Sequence, residues 1–221
     1  MADRQVSRSA EIHREALPYC HPVLAGLPPS MAARLLARHF GGDVDKTRTI
    51  VDAGCGEGRD ALFLLTQGLR VIAVDASRRN LKVVSRAAVQ ARIPSSMLAC
   101  CLTDLVQGIP VQSATVDAVL DVWVLGSVIL HHDGRDGAQR YLAEAHRILR
   151  PRGLFVCEFE TLRPRRSPDK LEGYLSRLLG TAFQLVETEP TLAEYVRYIR
   201  SPRQATGKPS PALLAVALRT R

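Results

Sequence analysis

No apolar run in this 221-residue chain is long enough to cross a bilayer. The longest, Val116 to Leu130, is interrupted by Asp117, Asp121 and Gly126, well short of the ~20 residues a span needs. Met1 to Glu15 mixes acidic and basic residues with no apolar centre, so it does not read as a secretory signal, and the cytoplasm is the expected location. The five cysteines form no CxxC pair, and their odd number leaves one over in any disulfide scheme. That pattern excludes a stapled secreted scaffold and makes a metal site unexpected. Lysine is scarce, with only Lys46, Lys82, Lys170 and Lys208 among 30 cations. An arginine skew of this kind arises from base composition without selection for binding, and no basic run exceeds two residues. The net charge of +8 is nonetheless uneven: residues 1–144 hold 16 basic and 15 acidic side chains, residues 145–221 hold 14 and 7. The basic tail suits an acidic small molecule, a nucleic acid or a membrane surface.

What is present is one domain's worth of alternating strand and helix signals, 46% of it hydrophobic and below the roughly 250 residues at which cores split. Apolar or β-branched runs at Thr49–Ala53, Arg70–Val74, Met97–Cys101, Val116–Val122, Leu154–Phe159, Phe183–Val186 and Leu213–Leu218 predict seven strands. Helical periodicity marks Gly137 to Leu149, stopped by Pro151, and residues 30–40, opened by Ser30 and closed by Gly41-Gly42. An α/β fold with a mostly parallel sheet follows. Neither repeats nor low-complexity runs divide it.

The most informative stretch is Thr49-Ile-Val-Asp-Ala-Gly-Cys-Gly-Glu-Gly-Arg-Asp-Ala: a buried strand, glycines at 54, 56 and 58, then a helix. Glycines let backbone approach a ligand closely, and a helix N-terminus adds free N–H groups. A dinucleotide fingerprint beginning at Gly54 would need its third glycine at Arg59, and the Gly-Lys-Ser/Thr ending of a phosphate loop is absent. The spacing D-x-G-x-G-x-G instead resembles the first motif of class I S-adenosylmethionine-dependent methyltransferases. Four further landmarks follow in family order: Arg70-Val-Ile-Ala-Val-Asp75, Thr103-Asp104-Leu105, Asp121-Val122-Trp123, and Arg147-Ile-Leu-Arg-Pro151-Arg-Gly153, in which Arg152 replaces a glycine. Within the family, the runs at 52–61 and 68–77 are similar to the tellurite-resistance and thiopurine methyltransferase branch, which acts on small molecules.

The resemblance implies a Rossmann-like three-layer sandwich with strand order 3-2-1-4-5-7-6 and an antiparallel last strand. It divides the single domain 1–221 into an N-terminal helical or lid segment (1–46), a cofactor-binding core (47–160) and substrate-side insertions with the last strands (161–221). S-adenosyl-L-methionine is the implied cofactor, held by Asp52, Ala53, Gly54, Cys55, Gly56, Gly58, Asp75, Ala76, Asp104, Leu105, Asp121 and Trp123. Asp75 is placed on the ribose diol and Asp104 on the adenine amine.

A sulfonium methyl is already an activated electrophile, so the protein has chiefly to align an acceptor and take its proton where it has one. His132 and His131 are the expected bases, because imidazole titrates near neutrality, with Glu160 next. In the expected lid, Tyr19 and His21 are candidate substrate contacts, as are Arg163, Tyr195 and Tyr198 in the later insertions, where Arg interleaved with aromatics suits an anionic or aromatic small molecule. Two other readings stand: an RNA methyltransferase using the basic C-terminal part, and a protein that binds S-adenosylmethionine without turnover.

Overall fold

All seven expected strands form in the computed structural model, which describes residues 28–40, 48–159, 168–193 and 210–220. Helix α1 spans Met31–Phe40, and the Ser30 hydroxyl accepts the Ala33 N–H at 3.0 Å as its cap. There follow β1 (Thr49–Ala53), α2 (Arg59–Thr66), β2 (Arg70–Asp75), α3 (Arg78–Gln90), β3 (Leu98–Leu102), β4 (Val116–Val122), α4 (Val124–His131), α5 (Arg135–Ile148), β5 (Leu149–Phe159), α6 (Pro168–Leu179), β6 (Phe183–Ala193) and β7 (Ser210–Arg219). The strands form one sheet in the order β3-β2-β1-β4-β5-β7-β6. β1 to β5 run parallel, and β7 runs antiparallel to both β5 and β6.

Alternation along the strands supplies two cores, one on each face. Val51, Val119 and Phe155 join Tyr141 of α5 and Leu175 of α6 on one side. Ile50, Leu120 and Val156 join Leu36 of α1, Leu64 of α2 and Val84 of α3 on the other. Strand order reverses between β1 and β4, and at such a switch point the crevice outside the carboxyl ends of the strands receives ligands.

Most boundaries fall within one or two residues of expectation, and the three largest differences have local reasons. β5 begins at Leu149 rather than Leu154, since Leu149 already pairs with Val116 before a register shift takes up the following turn. β6 runs on to Ala193 past Val186, where a bulge interrupts the alternation that marks a strand. Its Pro190 is tolerated because β6 lies at the sheet edge. β7 starts three residues early, at Ser210, paired with Ala193.

Arg152 sits at φ +63°, in the left-handed region that a glycine occupies at no steric cost. Arg152→Gly is therefore expected to stabilise the fold by about 1 kcal/mol in urea denaturation. No gain would mean that the arginine side chain offsets its backbone strain.

Candidate functional site

The loop joining β1 to α2 has Gly54 at φ +64°, Gly56 at +55° and Gly58 at +90°, so all three glycines are required by the backbone. Their surroundings separate their tasks. A Cβ on Gly54 would stand 2.5 Å from Val124 Cγ2 of α4, and one on Gly58 would stand 2.6 Å from Val84 Cγ2 of α3. A Cβ on Gly56 would meet nothing within 4 Å. Gly54 and Gly58 are thus sockets for neighbouring side chains, while Gly56 is the bare backbone left open to a ligand.

Asp75, at the end of β2 and 4% exposed, ties this loop to the next helix. Its Oδ2 accepts the Gly56 N–H at 2.8 Å, and its Oδ1 accepts the Ser77 N–H at 2.7 Å and the Asn80 side-chain amide at 3.2 Å. Cys55 donates its own N–H to the Val74 carbonyl at 2.9 Å. Burial first, then the charges of Asp52 and Asp75, push the Cys55 thiol well up, so it fills space and is no nucleophile at neutral pH. Ala53 is buried beneath the loop and Ala76 is half-buried beside Asp75.

Asp52 differs from a ligand-facing carboxylate. It is 3% exposed, and its Oδ2 is sealed from solvent without a hydrogen-bond partner. Desolvation, then the charge of Asp60, raise its carboxyl well above the usual range, while the Ala61 amide pulls it down. It supports the glycine loop and the start of α2 from below.

Asp104 and Leu105, just after β3, are both buried. Asp104 Oδ1 accepts the Val106 N–H at 3.1 Å, and its Oδ2 lies 3.8 Å from Nδ1 of His132, whose side chain is 13% exposed. Two residues expected separately, one at the adenine and one at the reacting methyl, thus meet in one pair. His131, half-buried, ends α4.

At the end of β4 the fully buried Asp121 accepts the Leu125 N–H through both oxygens, at 3.3 and 3.1 Å, and so caps α4. Burial pushes its carboxyl up to about 7, against the pull of the neighbouring Tyr141 hydroxyl and the amides of Leu125 and Val124. An acid that stays protonated in the fold while the unfolded chain ionises subtracts stability as pH rises from about 4 to about 7. Asp121→Asn, which retains an acceptor, is accordingly expected to gain more stability over the native chain at pH 8 than at pH 4. An equal difference at both pH values in urea titrations would mean that the carboxyl ionises normally.

Trp123 follows with φ +63°, its backbone N–H donated to the Glu158 carbonyl at 3.0 Å and its ring 5.6 Å from the Arg59 guanidinium. Arg59 pairs with Asp60 at 2.6 Å. Asp60 Oδ1 also accepts the Ser30 N–H at 2.7 Å, and Glu158 Oε1 accepts the Ala32 N–H at 3.0 Å. Two buried carboxylates from the carboxyl-end rim of the sheet thus fasten the start of α1 beside the site. Burial is also the main reason that the Glu158 carboxyl is raised.

Sequence reasoning misses this fastening. An acidic residue in the first turn of α2, Asp60, and another near the end of β5, Glu158, are visible in the sequence, but their common partner, the start of α1, is not. Tyr19, His21, Glu160, Arg163, Tyr195 and Tyr198 lie outside the described residues. Among the described residues no group of three potential metal ligands occurs, and no helix is long and apolar enough to cross a membrane.

Residues 51–157 match a family model described as a methyltransferase domain. A curated relative, an S-adenosyl-L-methionine-dependent Diels-Alderase of Talaromyces variabilis, is 29% identical over 131 residues, 59% of this chain and 42% of that protein. The chain therefore spans less than half the length of that relative. Among solved structures, the 1,6-didemethyltoxoflavin-N1-methyltransferase of Burkholderia thailandensis, with its namesake ligand and S-adenosylhomocysteine bound, superposes with a TM-score of 0.62. It is 24% identical, over 100% of this chain and 89% of that one. A SAM-dependent methyltransferase from Methanosarcina mazei superposes with a TM-score of 0.65 at 17% identity, over 88% and 99% of the two chains. Both share the fold.

Proposed function

We propose that residues 51–157, which match a methyltransferase-domain model, form a methyltransferase domain of the S-adenosylmethionine-dependent kind, and that the chain transfers the methyl group of S-adenosyl-L-methionine to a small anionic or aromatic acceptor. The observation that carries this reading is Gly56, a left-handed glycine facing open space at the switch point of the sheet, tied to the Asp75 carboxylate. S-adenosyl-L-methionine is the cofactor, and it supplies the activated methyl. Gly56 gives it close backbone approach, Asp75 offers acceptors to a vicinal diol, and Asp104 offers one to an exocyclic amine. The finer placement in the tellurite-resistance and thiopurine branch rests on the loop sequence at 52–61 and 68–77.

The Asp104–His132 pair bears on what His132 does. If Asp104 serves the adenine amine, His132, paired with it at 3.8 Å, would stand beside the adenine rather than beside the transferred methyl. His132 therefore acts first as a positioning residue that closes the adenine pocket, and the proton of an acceptor that carries one falls to His131 or Glu160. His132→Ala is expected to weaken S-adenosylhomocysteine binding, read by calorimetry, at least as much as it lowers turnover. A fall in turnover with unchanged affinity would restore His132 as the general base.

The decisive experiment is transfer of an isotopically labelled methyl from S-adenosylmethionine to small molecules of a cell extract. Cofactor binding without transfer to any acceptor would favour a protein that binds S-adenosylmethionine without turnover, or one that uses it in another reaction, for which the Diels-Alderase relative is a precedent. Labelled RNA with steeply salt-sensitive binding would favour a nucleic-acid acceptor.

A further inference from the structure

The near-neutral balance of residues 1–144 conceals a local asymmetry. From Ala76 to Thr103 there is no acidic residue and no aromatic one, yet there are five cations: Arg78, Arg79, Lys82, Arg86 and Arg92. That stretch builds α3 and β3 at one edge of the sheet. Arg79 reaches back to Glu57 at 3.8 Å. Arg78, Lys82 and Arg86 form no ion pair among the described residues, and all three are exposed. With Leu81, Leu102 and Cys100 they line an open groove of about 410 Å³ between the helix and the edge strand.

Among the described residues the edge strand itself, Leu98-Ala-Cys-Cys-Leu102, pairs with β2 on one side only. It carries no charge, proline or bulge, and its central residues Ala99 and Cys100 are exposed. Soluble proteins normally protect such an edge with one of those devices. Among the described residues, a row of backbone hydrogen-bonding groups without any of these devices lies beside a row of cations that form no ion pair. The spacings agree: residues four apart on a helix are about 6 Å apart along its axis, and same-face residues of an extended chain are about 6.6 Å apart.

From this juxtaposition we propose that the α3–β3 edge docks an extended acidic peptide segment of a partner protein. The segment adds as a strand to β3 and sets alternate carboxylates against Arg78, Lys82 and Arg86. A second copy of this chain does not fit, because two such edges would oppose cation to cation. Single-stranded nucleic acid matches the charge but finds no aromatic platform on this face and makes no use of the strand edge. The surface is separate from the proposed methyl-transfer reaction and does not depend on it.

The test is fluorescence anisotropy of the full chain with a labelled peptide of alternating Glu and Val. Saturable binding is expected, at least ten-fold weaker for the triple variant Arg78→Ser, Lys82→Ser, Arg86→Ser, and lost when the peptide's backbone amides are methylated. Thermal unfolding shows whether the triple variant is folded; should it not be, Lys82→Ser with Arg86→Ser gives the same comparison with a smaller loss. The proposal is overturned by no binding, by equal binding of the methylated peptide or of one with its Glu and Val in separate blocks, or by tighter binding of an oligouridylate of equal charge.

Discussion

Gly137→Ala is expected to destabilise the fold by about 3 kcal/mol, the upper range for inserting a single methyl group into closely packed structure. Gly137 lies in the first turn of α5, and a Cβ there would stand 1.8 Å from the His132 carbonyl oxygen, 2.8 Å from its carbonyl carbon and 3.1 Å from its Cβ. The first two are backbone atoms and cannot swing aside like the end of a side chain. His132 is also held from the other direction, through its N–H to the Val128 carbonyl at 2.8 Å. Relief would require α5 to part from the end of α4, moving His132 away from Asp104. Gly180→Ala is the control: Gly180 has φ +57°, but a methyl group there would meet nothing within 4 Å, so the change is expected to cost only the left-handed strain of about 1–2 kcal/mol. Equal losses for the two variants in urea denaturation would mean that residues 132–137 yield without cost.

Asp75→Ala is expected to weaken S-adenosylhomocysteine binding by about 1.5–3 kcal/mol, the range for hydrogen bonds to a charged group, or roughly ten- to a hundred-fold in Kd. Two effects combine. In the proposed site the carboxylate would offer acceptors to the ribose hydroxyls, and it also holds the Gly56 and Ser77 amides that shape the loop and the start of α3. Asp75→Asn separates them, because one amide oxygen still accepts from Gly56 while the charge is gone. Recovery by asparagine would assign the loss to the Gly56 tie; a loss persisting in asparagine would assign it to the charged acceptors, shared between the diol and the Ser77 amide. Wild-type affinity in the alanine variant, measured by calorimetry, would remove Asp75 from the site.

The parts of this fold legible in the sequence are those decided by neighbouring residues. β1, β2 and β4 are buried on both faces, so each is a short apolar run with clear ends. The glycines announce the ligand loop because their positive φ is a local demand. Strand order is different: it follows from the resemblance, since no period in the sequence states which strands pair. The fastening of α1 is illegible for a related reason. Glu158 reaches the Ala32 amide across 126 residues, and nothing local to either residue marks the contact. Asp104 and His132 each stand out in the sequence, yet their mutual contact, which changes the task assigned to His132, depends on how the residue after α4 meets the loop after β3. Counting charge over long windows directs attention to the C-terminal part and averages away the acid-free stretch at the opposite edge of the sheet.

The sockets at Gly54 and Gly58 constrain how this domain can be recombined. Each glycine is filled by a valine from a different helix, Val84 of α3 for Gly58 and Val124 of α4 for Gly54. A chimaera with its crossover between residues 59 and 83 inherits both glycines from one parent and both valines from the other; a crossover between 85 and 123 separates only the second pair. Unless the parents agree in size at these positions, such hybrids would start with a collision under the loop or a void in its place. Exchange outside 54–124 leaves both fits intact, so this block is the natural unit to transplant whole when the substrate-facing segments are varied.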